Sequence, residues 1–280
     1  MRASMGYSEG AMRLGPVARK LIDPCTWKDG YPGPPAYVRE LDALLHFANQ
    51  NGYLWRFVPN LEARDRQRDK FLNELRLAYF FRSLGFDITQ WDPPGASGKT
   101  GEFNLAAPGE RSVFVEVKSR GWESELSELQ LKTGLAKRSK YEVWRGGAVG
   151  NWKPVHECIS SDKTYPKFLP TQPNLLIIAD DLRVSLHDTL FQVEAALFGE
   201  KCFHGEDGYF TTNRFENVGG LGVFNCHSRA PSRGIEYEFI VYLNPNALPA
   251  TRLPPSWSPC TTKFSCIVRG TNPRQGIMYL

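Results

Sequence analysis

The sequence predicts an α/β fold: a mixed central sheet flanked by helices, with an N-terminal helical extension before it and a Pro-rich C-terminal segment after it. Three observations carry that prediction. An apolar stripe at helical spacing runs over residues 69–84 and stops at Gly85. Two short segments of alternating character, 101–107 and 113–118, lie either side of Pro108-Gly109-Glu110, as the arms of a β-hairpin would. The segment 173–179 contains a continuous apolar run that reads as a strand covered on both faces, and a helix-prone stretch over 185–198 follows it.

Length and composition bound the rest. A chain of 280 residues, 41% hydrophobic and 23% charged, can bury a full core and is of ordinary globular composition. The net charge of +4 is mild, but its placement is uneven. After Glu238 there is no acid, while Arg252, Lys263, Arg269 and Arg274 remain, so the tail is a local basic region. The six cysteines are scattered without a C-x-x-C pair, no apolar stretch resembles the core of a signal peptide, and no window approaches the ~18 apolar residues of a membrane span. Free thiols in a reducing cytoplasm are the expectation. The divisions expected are 1–65 (arm and helix), 66–245 (α/β core) and 246–280 (basic tail packed on the core).

Residues 1 to 35, rich in Gly and Pro, predict an irregular arm. Val38, Leu41, Leu44, Leu45 and Ala48 predict a helix over 37–49, closed by Gln50-Asn51-Gly52; residues 53–58 read as a short extended piece. On the 69–84 helix Phe71, Leu75, Ala78 and Tyr79 form the stripe and Glu74 lies at its flank. Arg64, Arg66, Arg68 and Lys70, interleaved with Asp65 and Asp69, read as a solvated helix start rather than a phosphate track. After a strand over 86–91, Pro93 to Thr100 imitates a phosphate-binding loop. The match fails because Pro93 stands where its first Gly belongs and a strand pattern follows Thr100. Residues 123–135 predict a helix, and 138–154 a loop in which Lys140, Tyr141, Trp144 and Arg145 suit either burial or stacking on nucleic acid. A short helix over 156–168 would present Lys163 and Lys167 together, and Asp180-Asp181 reads as a cap opening the next turn. Strands are expected over 221–225 and 237–243, a turn at 244–247, and little regular structure in the last thirty residues. Cys202, His204, Cys226 and His227 match no strong zinc spacing and read as ordinary side chains.

The hairpin carries the chemistry. Its alternation sets Val113, Val115 and Val117 on one side and Glu116 and Lys118 on the other, with Glu102 and Asn104 able to join the polar side. Carboxylates beside an ammonium on adjacent strands suit a divalent cation and an activated water.

Gly101-Glu-Phe-Asn104 followed by Val115-Glu-Val-Lys118 resembles the PD-(D/E)XK nuclease superfamily, with its restriction-endonuclease-like core. The resemblance covers about 69–198, and its specific part is the hairpin. It implies a nuclease hydrolysing phosphodiester bonds of DNA, or of RNA, with Mg²⁺ or Mn²⁺. Glu116, Glu102, Asn104 and Glu74 would hold the cation, and Lys118 would orient the attacking water. Ser119, Arg120, Lys163, Lys167, Arg269 and Arg274 would contact phosphates. A homodimer or larger assembly fits the same pattern. Asn104 departs from it, for the family has an acid there. Glu102 either takes over that role, or the chain is a nucleic-acid-binding or structural subunit that keeps the fold with weakened or lost activity.

Overall fold

The structure, a computed structural model, describes residues 34–62, 67–119, 159, 165–181, 193–194, 196–198, 208–212, 215–227, 235–257, 263–268 and 277–279. The helices expected over 123–135 and most of 185–198, the loop over 138–154 and the N-terminal arm lie outside them. The described residues fall into two compact units. One draws on 1–84, 226–238 and 264–280, the other on 85–225 and 239–263. Together they make a mixed α/β chain, as the pattern predicts. Among the described residues no helix is long and apolar enough to cross a membrane.

The first unit begins with α1 (Pro34–Gln50), α2 (Leu54–Glu62) and α3 (Gln67–Ser83). Leu41, Leu44, Leu45 and Ala48 are buried along α1, as their spacing requires. The helix ends as its sequence predicts. Gly52 takes a φ of 72°, and the Tyr53 amide donates back to the Ala48 carbonyl at 2.6 Å, satisfying a carbonyl the helix leaves open. Gly85 (φ 90°) turns the chain the same way after α3.

α2 corrects the extended piece expected over 53–58. Aromatic and β-branched residues favour a strand locally, but Leu54–Glu62 is helical and turns Arg56, Phe57 and Leu61 inward, adjacent and four-apart positions that one helix face brings together. The helix accommodates Pro59, and the Asn60 side chain donates to the Arg56 carbonyl at 2.7 Å.

α3 is covered far more completely than a one-sided stripe predicts: every residue from Leu72 to Phe81 is buried. Its polar members must therefore be paired. Arg76 meets both carboxylate oxygens of Glu40, at 2.7 and 3.0 Å, and donates to Asn73 Oδ1 at 3.2 Å. The Tyr237 hydroxyl donates to Glu40 Oε1 at 2.6 Å, and burial pushes that phenol well above its usual range. Strands β7 (Lys263–Val268) and β8 (Ile277–Tyr279) pair antiparallel, Phe264 opposite Tyr279. They correct the expectation that the last thirty residues lack regular structure.

In the second unit, β1 (Asp87–Trp91), β2 (Phe103–Ala106), β3 (Val113–Ser119) and β4 (Asn174–Asp181) stand side by side. The first two pairings are antiparallel and β3–β4 is parallel, so the sheet is mixed. β5 (Gly220–His227) and β6 (Ile235–Leu243) follow in sheet order. The β2–β3 pair is the hairpin the alternation predicts, and β4 carries the apolar run, with Leu175 to Ala179 all buried. β4 continues through Asp181, so the two aspartates end a strand rather than open a turn. One face of the sheet is built on Phe114, Leu176, Ile178, Leu221 and Val223, covered by Phe168, Val193, Leu197 and Phe210. Burying each such side chain contributes roughly 1.5–3 kcal/mol.

Candidate active site

The hairpin register decides which side chains meet. Phe103 pairs with Val115 and Asn104 with Phe114, so one step further sets Glu102 opposite Glu116. The Glu102 amide donates to the Val115 carbonyl at 3.0 Å, which holds that step in place. Glu102, Asn104, Phe114, Glu116 and Lys118 thus share one face of the sheet. On the other side of β3, Glu116 is level with Leu176 and Lys118 with Ile178, so the carboxylate stands among apolar neighbours and is fully buried.

Three groups meet the Glu116 carboxylate. Lys118 places its ammonium 2.6 Å from Oε1. Lys167 reaches both oxygens, at 2.6 and 2.8 Å. Glu102, itself buried, lies close enough for the two carboxyl groups to share a hydrogen bond, while its Oε2 accepts from the Val117 amide at 3.1 Å. Burial is the largest influence on Glu116, raising its pKa to about 7. The bond to Glu102 and that group's charge push the same way, and Lys118 opposes them.

Lys167 comes from a single three-residue turn, Tyr165–Lys167. Its neighbours anchor it. Tyr165 packs on Phe215 with ring centres 4.9 Å apart, and Phe168 packs on Phe114 at 6.0 Å. The sequence places Lys167 only beside Lys163, as a peripheral phosphate contact. No local pattern could pair it with a carboxylate 51 residues earlier. Lys163 lies outside the described residues, as do Arg120, Arg269 and Arg274. Ser119 closes β3 and is half-buried.

Asn104 sits between strands. Its amide nitrogen approaches Gln90 Oε1 on β1 at 3.4 Å, and its Oδ1 is buried without a hydrogen-bond partner. Glu74 belongs to the first unit, where it is fully buried and lies 3.1 Å from the Arg56 guanidinium and 3.6 Å from the Lys70 ammonium. Cys226 is buried on β5 in that unit, its thiol 3.7 Å from Glu40 Oε1, while Cys202 and His204 lie outside the described residues.

Among the described residues no three His, Cys, Asp or Glu side chains converge as a ready metal cage. The hairpin instead offers two adjacent carboxylates and the buried amide oxygen of Asn104. An all-oxygen set of that kind suits a hard divalent cation, and Mg²⁺ is commonly held by one or two carboxylates while keeping several waters. Two carboxyl groups this close need a proton or a cation between them, so the donor set fits such an ion. No protein-family model matches the chain, and no curated protein matches it.

Proposed function

We propose that this protein is a divalent-metal-dependent nuclease that hydrolyses phosphodiester bonds of DNA or RNA on the polar face of the β2–β3 hairpin. One observation supports this above the others: Glu102, Glu116 and Lys118 meet on one face, the two carboxylates buried and the Lys118 side chain 27% exposed. Glu116 and Glu102 would hold Mg²⁺ or Mn²⁺, with Asn104 Oδ1 as a neutral third oxygen. The bound ion would supply Lewis acidity and lower the pKa of a water.

Lys118, the group of the three that reaches solvent, would orient the attacking water and offset charge growing on the phosphoryl oxygens. The dry wall of Phe114, Leu176 and Ile178 strengthens each of these interactions by excluding water from one side. The reading is tested by a cleavage screen over single- and double-stranded DNA and RNA with Mg²⁺ or Mn²⁺. Native protein is expected to cut at least one class, and Glu116→Gln and Lys118→Ala to lose at least about a hundredfold. Cleavage that survives both substitutions would place the chemistry elsewhere.

A second reading is a nuclease-like subunit that binds nucleic acid without cutting it. The observation favouring it is Asn104, whose neutral amide leans on Gln90 where the family has an acid. Calorimetric Mn²⁺ titration separates the two, because a non-cutting subunit has no need of the ion.

A further inference from the structure

Glu116 has only two oxygens, and Lys167 lies on both of them. Any cation ligated by Glu116 must approach the same two atoms. Lys118 approaches from two residues along the same strand, its ammonium 2.6 Å from Oε1. The hold of Lys167 is built into the fold. Its turn is fixed by Tyr165 on Phe215 and by the Phe168 amide, which donates to the Tyr165 carbonyl at 3.1 Å.

Gly95 fixes it from the other side. A Cβ at this position would stand 2.6 Å from the Lys167 carbonyl oxygen and 3.1 Å from the Phe114 ring, so only glycine lets the two loops lie this close. Gly95 has a φ of −103°, where any residue is comfortable, so close approach is the reason for glycine here.

We propose that Lys167 is a tethered competitor of the divalent cation: an ammonium built into the site that must leave the Glu116 oxygens before the ion can be held there. This rests on the cation-binding reading of the hairpin and adds to it a residue that sets the ion's affinity. The physics is direct. An ammonium at 2.6–2.8 Å in a largely buried site (Lys167 is 15% exposed) is a strong partner, and displacing it subtracts from the ion's binding free energy. Removing the ammonium therefore tightens ion binding, whereas damage to an ordinary structural contact loosens it. The sign of the change is the diagnostic.

The experiment is a calorimetric Mn²⁺ titration of the full chain as native protein, Lys167→Met and Gly95→Ala, with folding checked by near-ultraviolet circular dichroism. Methionine keeps the apolar stem and drops the charge. Alanine at 95 pushes the Lys167 backbone away and leaves the lysine intact. Lys167→Met is expected to lower the Mn²⁺ Kd about tenfold or more, and Gly95→Ala to lower it several-fold. Binding by the variants where native protein binds undetectably would be the same result in stronger form. If native protein binds and Lys167→Met binds equally or more weakly, the competition idea is overturned and the cation site stands. If none of the three binds, the cation reading itself fails and this inference with it. Should Lys167→Met not fold, Gly95→Ala decides by the same signs.

Discussion

Glu116 is a carboxyl group placed where a carboxylate is poorly tolerated, and that has a measurable cost. Its pKa in the folded chain is about 7 against an ordinary 4.5, so between those values the folded protein binds a proton that the unfolded chain does not. The resulting stabilisation is fully present below pH 4.5 and is lost as pH rises through about 7. A shift of that size is worth at most about 3 kcal/mol, and the Lys118 ammonium works against it. Urea unfolding at pH 5 and pH 7.5 is expected to show native protein losing stability relative to Glu116→Gln, which carries no titrating proton at this position. Equal pH dependence in the two would refute the buried-acid picture. Asn104 supports a prediction of opposite sense. Asn104→Asp adds a charged oxygen at the site, and Mn²⁺ affinity is expected to rise about tenfold or more, with faster cleavage if the nuclease reading holds. Unchanged affinity would mean that position 104 does not reach the ion. Both residues were legible in the sequence through the two-residue alternation of the strands. Lys167 was not, because its partner is set by a turn between β3 and β4 that leaves no periodic trace.

α3 shows the same division between pattern and packing at the level of an element. Its existence and its glycine stop could be read from spacing, yet the stripe of four apolar residues gave no warning that Asn73, Glu74 and Arg76 are buried as well. A mixed sequence reads as one-sided when its polar residues are assumed to face water. Here Glu74 accepts from Arg56, and Arg76 donates to Glu40, which also accepts from Tyr237; these partners are fixed only by tertiary structure. β4 was easier, since an unbroken apolar run has few alternatives, whereas β8, with three residues, is too short for any period to register. The α3 cluster gives a stability prediction. Arg76→Met leaves the Glu40 carboxylate buried with a phenol and a thiol but no cation, and is expected to cost about 3–5 kcal/mol. Replacing the pair, with Glu40→Leu and Arg76→Met together, is expected to recover most of that loss. Denaturant midpoints of the three proteins check both statements, and a double variant worse than the single would contradict them.

Over the whole molecule, the path of the chain matters more than any one element. It passes from one compact unit to the other after residues 84, 225, 238 and 263, so neither unit is a continuous stretch. Residues 1–84 hold Glu40 and Arg76 but not Tyr237, and are expected to lack a cooperative thermal transition when expressed alone. A sharp melt by circular dichroism would contradict this. The parallel pairing of β3 with β4 has a consequence for the order of folding. Val115 lies 12 residues from its hairpin partner Phe103 (115 − 103) but 60 from Leu175 (175 − 115), so closing the second loop costs roughly 1.4 kcal/mol more in chain entropy. The hairpin therefore zips early with Glu116 still wet, and the carboxyl group dries only when β4 docks. A step that buries an acid runs faster when the acid is already protonated. Refolding from urea is then expected to be quicker at pH 5 than at pH 7.5, with that difference much reduced in Glu116→Gln. The residue proposed to hold the ion would, by this route, also set the rate at which its own site is sealed.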